Sequence, residues 1–79
     1  MTTIIGEPIK VIAVFDGGIR PVRFKWNGRV YAVKEITYQW RSREGSAVRI
    51  HFSVFDGASL YELSYNQGTM KWSIEGVEA

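Results

Sequence analysis

Cysteine is absent from this chain, which excludes disulfides and thiolate metal sites. Histidine occurs once, at His51, so paired-imidazole metal sites and histidine-rich catalytic clusters are excluded as well. No apolar run approaches the ~18–20 residues of a membrane helix. The N-terminus lacks the basic segment and long apolar core of a secretion signal. Zero cysteines suit a reducing compartment. Together these absences lead us to expect a cytoplasmic bacterial protein with no membrane partner.

Glycine-rich phosphate loops, zinc spacings and nucleophile elbows are also missing. Asp16 and Asp56 each precede a glycine, where an aspartate shapes a turn rather than pairing with a second carboxylate. His51 stands in an alternating strand beside Arg49, the setting of a surface residue rather than a general base. We therefore expect no enzyme activity, no catalytic residues, no metal and no cofactor.

What remains is a chain of 79 residues, enough for one domain spanning residues 1–79. A core this small usually needs reinforcement. Without disulfides, the reinforcement falls to aromatic packing or to a partner subunit, so a homodimer is one expectation. Aromatics make up 14% of residues. Trp26, Trp40 and Trp72 follow the apolar phase of their segments and are expected in the core. Tyr38 and Tyr65 are expected to be partly exposed.

The chain reads as short β-rich runs punctuated by Gly, Asn and Asp. Six strands are expected, near 10–15, 20–26, 29–41, 47–55, 60–65 and 70–77. Gly6 and Pro8 suggest that residues 1–8 form a flexible entry. The unbroken run Val11 to Phe15 implies burial on both faces, or a strand shared between two sheets. Pro21 lacks an N–H, which favours an edge or a strand start. Asn27-Gly28 predicts a two-residue type I′ hairpin, because both residues accept positive φ. In the long third strand the apolar phase slips by one between Val33 and Ile36, predicting a bulge near Lys34-Glu35. A bulged antiparallel meander of this length fits an all-β fold, either a small SH3-like barrel or a strongly rolled sheet. Val14-Phe15-Asp16-Gly17 recurs as Val54-Phe55-Asp56-Gly57. The echo has two readings, duplication of a three-stranded unit or repeated use of one turn chemistry.

Net charge is only +2, but its distribution is uneven. From Gly17 to His51, eight basic residues oppose two acidic ones, a balance of +6. From Phe52 to Ala79, one basic residue opposes four acidic ones, a balance of −3. A basic face and an acidic face follow. Arg23, Lys25 and Arg29 flank the Asn27-Gly28 hairpin, and Arg41 and Arg43 follow Trp40. These five are the candidate nucleic-acid-binding residues, able to neutralise phosphates beside aromatic rings. The bland alternative is a solvated strand face whose cations block edge-to-edge aggregation. The other functional alternative is a protein-interaction or self-associating module.

The stretch Pro21-Val22-Arg23-Phe24-Lys25-Trp26-Asn27-Gly28-Arg29-Val30-Tyr31-Ala32-Val33 carries a resemblance. With Ile36, Trp40-Arg41, Leu60-Tyr61-Glu62-Leu63 and Trp72, it resembles a family of small bacterial domains of uncharacterised function. The shared pattern is P-x-x-F-x-W-x-G-R-x-Y-x-V, then W-R, then Y-x-L, then W. Members also look to occur as C-terminal tails of Y-family polymerase-like proteins. The resemblance implies a role near DNA or beside a DNA-repair protein. Its motifs are mostly fold-determining aromatics and glycines, so it speaks more to architecture than to function.

Overall fold

The computed structural model describes residues 2–78. They form seven antiparallel strands and no helix: β1 (Thr2–Phe15), β2 (Ile19–Trp26), β3 (Arg29–Ala32), β4 (Glu35–Glu44), β5 (Ala47–Phe55), β6 (Leu60–Asn66) and β7 (Lys71–Glu78). All seven belong to one sheet in the order β3-β2-β1-β7-β6-β5-β4. Two meanders, β1 to β3 and β4 to β7, are joined where β1 pairs with β7.

The long first strand makes that junction. From Thr2 to Ile9 it pairs with β7, and from Lys10 to Phe15 with β2. The partner changes between Ile9 and Lys10, within one sheet, so the Val11–Phe15 run pairs with β2 alone and is not shared between two sheets. The other reading, burial on both faces, also fails: Ile12 is 62% and Phe15 63% exposed. Residues 2–8, expected as a flexible entry, are paired with β7 instead. Gly6 (φ +69) lies where the β1–β7 register slips between Ile4 and Glu7. Its freedom at positive φ lets the strand absorb an extra residue and continue. The expectation for Met1 lies outside the described residues.

The Asn27-Gly28 turn is as predicted, with φ of 54° and 74°. The expected third strand is two strands, which raises the count from six to seven. Val33 donates its N–H to the Val22 carbonyl, whereas Lys34 donates to the Phe55 carbonyl. The chain thus crosses from the β2 ladder to the β5 ladder within one peptide unit. The bulge lies further on, at Thr37, where the β4–β5 register shifts between Ile36 and Tyr38. That second shift turns Tyr38 and Trp40 away from the core.

Inner-face residues of β5, β6 and β7 build the core: Ile50, Phe52, Val54, Tyr61, Leu63, Tyr65, Trp72 and Ile74 are all buried. The sheet curls so that β2 meets β6 across the interior. Phe24 and Tyr31 stack at 5.0 Å, and each lies 5.3 Å from Tyr61. Aromatic packing of this kind adds to simple area burial. Tyr65, expected to be half wet, is buried against Trp72 at 4.9 Å. β3 and β4 do not pair, so the sheet does not close into a barrel and keeps two edges. The four-residue β3 is too short to run along β4.

Candidate binding face

Side chains alternate across a strand, so the residues of β1 and β2 that skip the core form a second, outward set. Lys10 lies opposite Lys25, Ile12 opposite Arg23, and Val14 opposite Arg20. On β3, Val30 lies opposite Lys25, and Ala32 opposite Arg23. The outer face of β1 to β3 therefore carries four cations around Ile12, Val14 and Val30. Ile12 and Val30 are each 62% exposed. Between them runs an open groove of ≈ 360 Å³ whose walls include Lys10, Arg23 and Lys25.

Among the described residues, none of Lys10, Arg20, Arg23 or Lys25 makes a salt bridge. Lys10 and Lys25 face each other directly, an arrangement that costs stability. Exposed aliphatics ringed by uncompensated charge mark a surface that the fold itself does not use.

The five residues singled out by sequence do not form one patch. Arg23 and Lys25 lie on this face. Arg29 pairs with Trp26 and shares its side of the sheet, the other one. Arg41 and Arg43 lie on β4, at the far edge, opposite Ile50 and Val48. They share the side of those two residues and are nonetheless exposed. Lys10 and Arg20, which sequence reasoning left out, complete the cluster instead. Lys10, Ile12 and Val14 alternate by two, a signal masked by the unbroken apolar run around them.

The outer face of β4 to β7 has a different character. Arg49 donates to Ser64 Oγ and Glu75 Oε1 at 3.0 Å each, and to Glu44 Oε1 at 2.9 Å. The buried Ser64 hydroxyl donates to the same Glu75 oxygen at 2.7 Å. Beside this cluster, His51 Nδ1 lies 3.3 Å from Glu62 Oε2, and His51 Nε2 lies 2.7 Å from Ser42 Oγ. Trp40 stacks on the imidazole at 5.0 Å with the planes 6° apart. Trp40 was expected in the core; the Thr37 bulge puts it outside, over His51.

Ser42, His51 and Glu62 stand in the order of a hydroxyl, its base and an orienting carboxylate. Ser42 is exposed on an edge strand, however, so a substrate there would remain in water. The guanidinium opposite Ser42 belongs to Arg49, and its two terminal nitrogens are already engaged by Ser64, Glu75 and Glu44. It is therefore poorly placed to stabilise developing negative charge. The line fixes the His51 imidazole on which Trp40 stacks.

The two Asp-Gly turns also differ. The Asp56 carboxylate accepts from the Ala58 and Ser59 N–H groups and the Tyr61 hydroxyl, at 2.8–3.1 Å. Burial pushes its pKa up, but these three hydrogen bonds, with a fourth from its own backbone N–H, outweigh burial and hold it below the ordinary value. Burial, then the hydrogen bond to Asp56, raises the Tyr61 hydroxyl. Among the described residues, the Asp16 carboxylate has no such partner, and its backbone N–H closes on the Gly18 carbonyl.

Among the described residues, no three His, Asp or Glu side chains lie together in a way that could hold a metal ion. Among the same residues, no helix is long and apolar enough to cross a membrane. No protein-family model matches this chain, and no curated protein or solved structure matches it.

Proposed function

We propose that this chain is a non-enzymatic docking module that holds an anionic, part-apolar protein partner on the outer face of β1, β2 and β3. The observation that carries the reading is the pairing of bare cations with exposed aliphatics: Ile12 across from Arg23, and Val30 across from Lys25. A partner carrying both carboxylates and apolar side chains satisfies both halves of that surface, whereas an acidic polymer alone satisfies one. Removing Ile12 and Val30 from water supplies non-directional affinity. The four cations supply steering and selectivity.

Nucleic acid is the second reading. The same four cations can neutralise phosphates, and the resemblance to domains appended to polymerase-like proteins points towards DNA. The face lacks aromatic rings on which bases stack, since Trp26 and Tyr31 lie on its reverse, packed against the core.

The test is an amide-shift titration of labelled protein at two salt concentrations, with an acidic Glu/Leu-containing peptide and separately with oligothymidylate. Peptide-induced shifts at Ile12, Arg23, Lys25 and Val30 that shrink with salt are the expected result. Shifts produced by the oligonucleotide alone would transfer the face to the second reading. If neither ligand moves those amides, the face binds neither class and the proposal falls.

A further inference from the structure

We infer that the free edge of β3 accepts an extended acidic segment of the partner as an eighth strand, antiparallel to β3. This rests on the docking reading above and adds to it a site, a direction and a residue pattern.

The backbone supplies the first half of the argument. In an antiparallel ladder, residues alternate between those bonded to one neighbour and those whose N–H and C=O face the other way. The two-residue turn at Asn27-Gly28 makes Trp26 and Arg29 a bonded pair. Val33 donates its N–H to Val22 at 2.9 Å, which keeps the same alternation to the end of the strand. Arg29, Tyr31 and Val33 therefore bond inward to β2. Val30 and Ala32 turn their N–H and C=O groups outward, where no strand among the described residues pairs with them. Adding a strand to such an edge gives main-chain affinity, and its alternate side chains give selectivity.

The side chains supply the second half. A partner residue opposite Val30 shares the outer face with Val30 and Lys25 and meets an apolar floor. A partner residue opposite Ala32 meets only a methyl group, over which Arg23 is free to extend. That position calls for a carboxylate. On the reverse face, the residue opposite Arg29 also meets a cation, and the one opposite Tyr31 lies beside a half-buried ring. Read along an antiparallel partner, the sequence is acidic, neutral, apolar, acidic. The β4 edge has no comparable pattern. It is broken by the Thr37 bulge, and its adjoining outer face is already occupied by the Arg49 and His51 networks.

The probe is a ten-residue peptide with Glu-Thr-Leu-Glu at its centre, measured by calorimetry and by amide exchange of the intact protein. In the antiparallel register the Leu N–H points at β3 and the Thr N–H points away. Methylating the peptide's Leu nitrogen should weaken binding about tenfold or more, since it removes one bond and crowds the edge. Methylating its Thr nitrogen should leave affinity unchanged. Bound peptide should slow exchange at Val30 and Ala32. Binding that ignores both methyl groups, with no protection at those two amides, would overturn the added strand while leaving the docking face intact. Absence of peptide binding at any salt concentration would overturn both.

Discussion

The two outer faces of this one sheet treat arginine differently. On β5, Arg49 is held by two carboxylates and a buried hydroxyl, all within 3.0 Å. On β2, Arg23 and Lys25 have no acidic partner among the described residues and flank exposed Ile12 and Val30. The first arrangement satisfies its charges internally and so serves the fold. The second leaves charge and apolar surface open together, an arrangement that stability alone does not select. The acidic C-terminal third is not a free acidic face either. Glu62 and Glu75 are engaged by His51 and Arg49, so the uneven charge along the chain becomes an uneven availability of charge in space.

The largest expected effect lies in the satisfied network. Replacing Arg49 by Met should lower unfolding stability by about 2–3 kcal/mol, because Glu75 loses its cation and the buried Ser64 loses a donor. Both side chains of the Arg49–Glu75 pair are less than a third exposed, which sets this pair apart from a solvated surface bridge. Denaturant unfolding measures the loss. A loss below about 0.5 kcal/mol would mean that the network is no more structural than an ordinary surface bridge, and the contrast between the faces would collapse.

Second in size is the contrast between the two Val-Phe-Asp-Gly turns. Asp56→Ala should cost about 1–2 kcal/mol, since it strips three hydrogen bonds from one turn, while Asp16→Ala should cost under about 0.5 kcal/mol. The sign with pH follows from the lowered Asp56 pKa. The folded state then holds its proton less tightly than the unfolded chain, so the contribution is present above the ordinary carboxylate pKa. It is lost as pH falls through the lowered folded value. Wild type and Asp56→Ala should therefore converge in stability in acid and separate towards neutral pH. A gap that stays constant with pH would assign the effect to turn geometry alone.

These turns also show where sequence was a good guide. In β5, Val48, Ile50, Phe52 and Val54 alternate with Arg49, His51 and Ser53, and both faces follow from that alternation, because period two has a single solution in a half-buried strand. Asn27-Gly28 was equally legible, since few residue pairs accept two positive φ values. The errors cluster where a ladder slips. Thr37 shifts the register without any glycine or proline to announce it, and so Trp40, expected in the core, lies on the outer face, while Tyr38 is exposed as expected. Strand pairing across the chain, β1 with β7, has no local signature at all. That pairing positions the candidate face, by leaving Lys10 to Phe15 free to pair with β2. Arg23 and Lys25 stand two apart in one strand and so share a face. Their grouping with Lys10 and Arg20, and their separation from Arg29, Arg41 and Arg43, depended on topology.

The smallest expected effect is the sharpest test of the comparison. Lys25→Glu sets a carboxylate directly opposite Lys10 and beside Arg23, replacing a like-charge pair by an opposite-charge one. If the bare face is held for binding and not for folding, this variant should be more stable than wild type by about 0.2–1 kcal/mol. The gain should shrink with added salt, because the charges lie at the surface. The same variant should lose affinity for the acidic peptide. A gain in stability with a loss of binding is the signature of a surface kept against the interest of the fold. Destabilisation on Lys25→Glu would instead make the cation a structural element of β2, and the two faces would then differ in degree rather than in role.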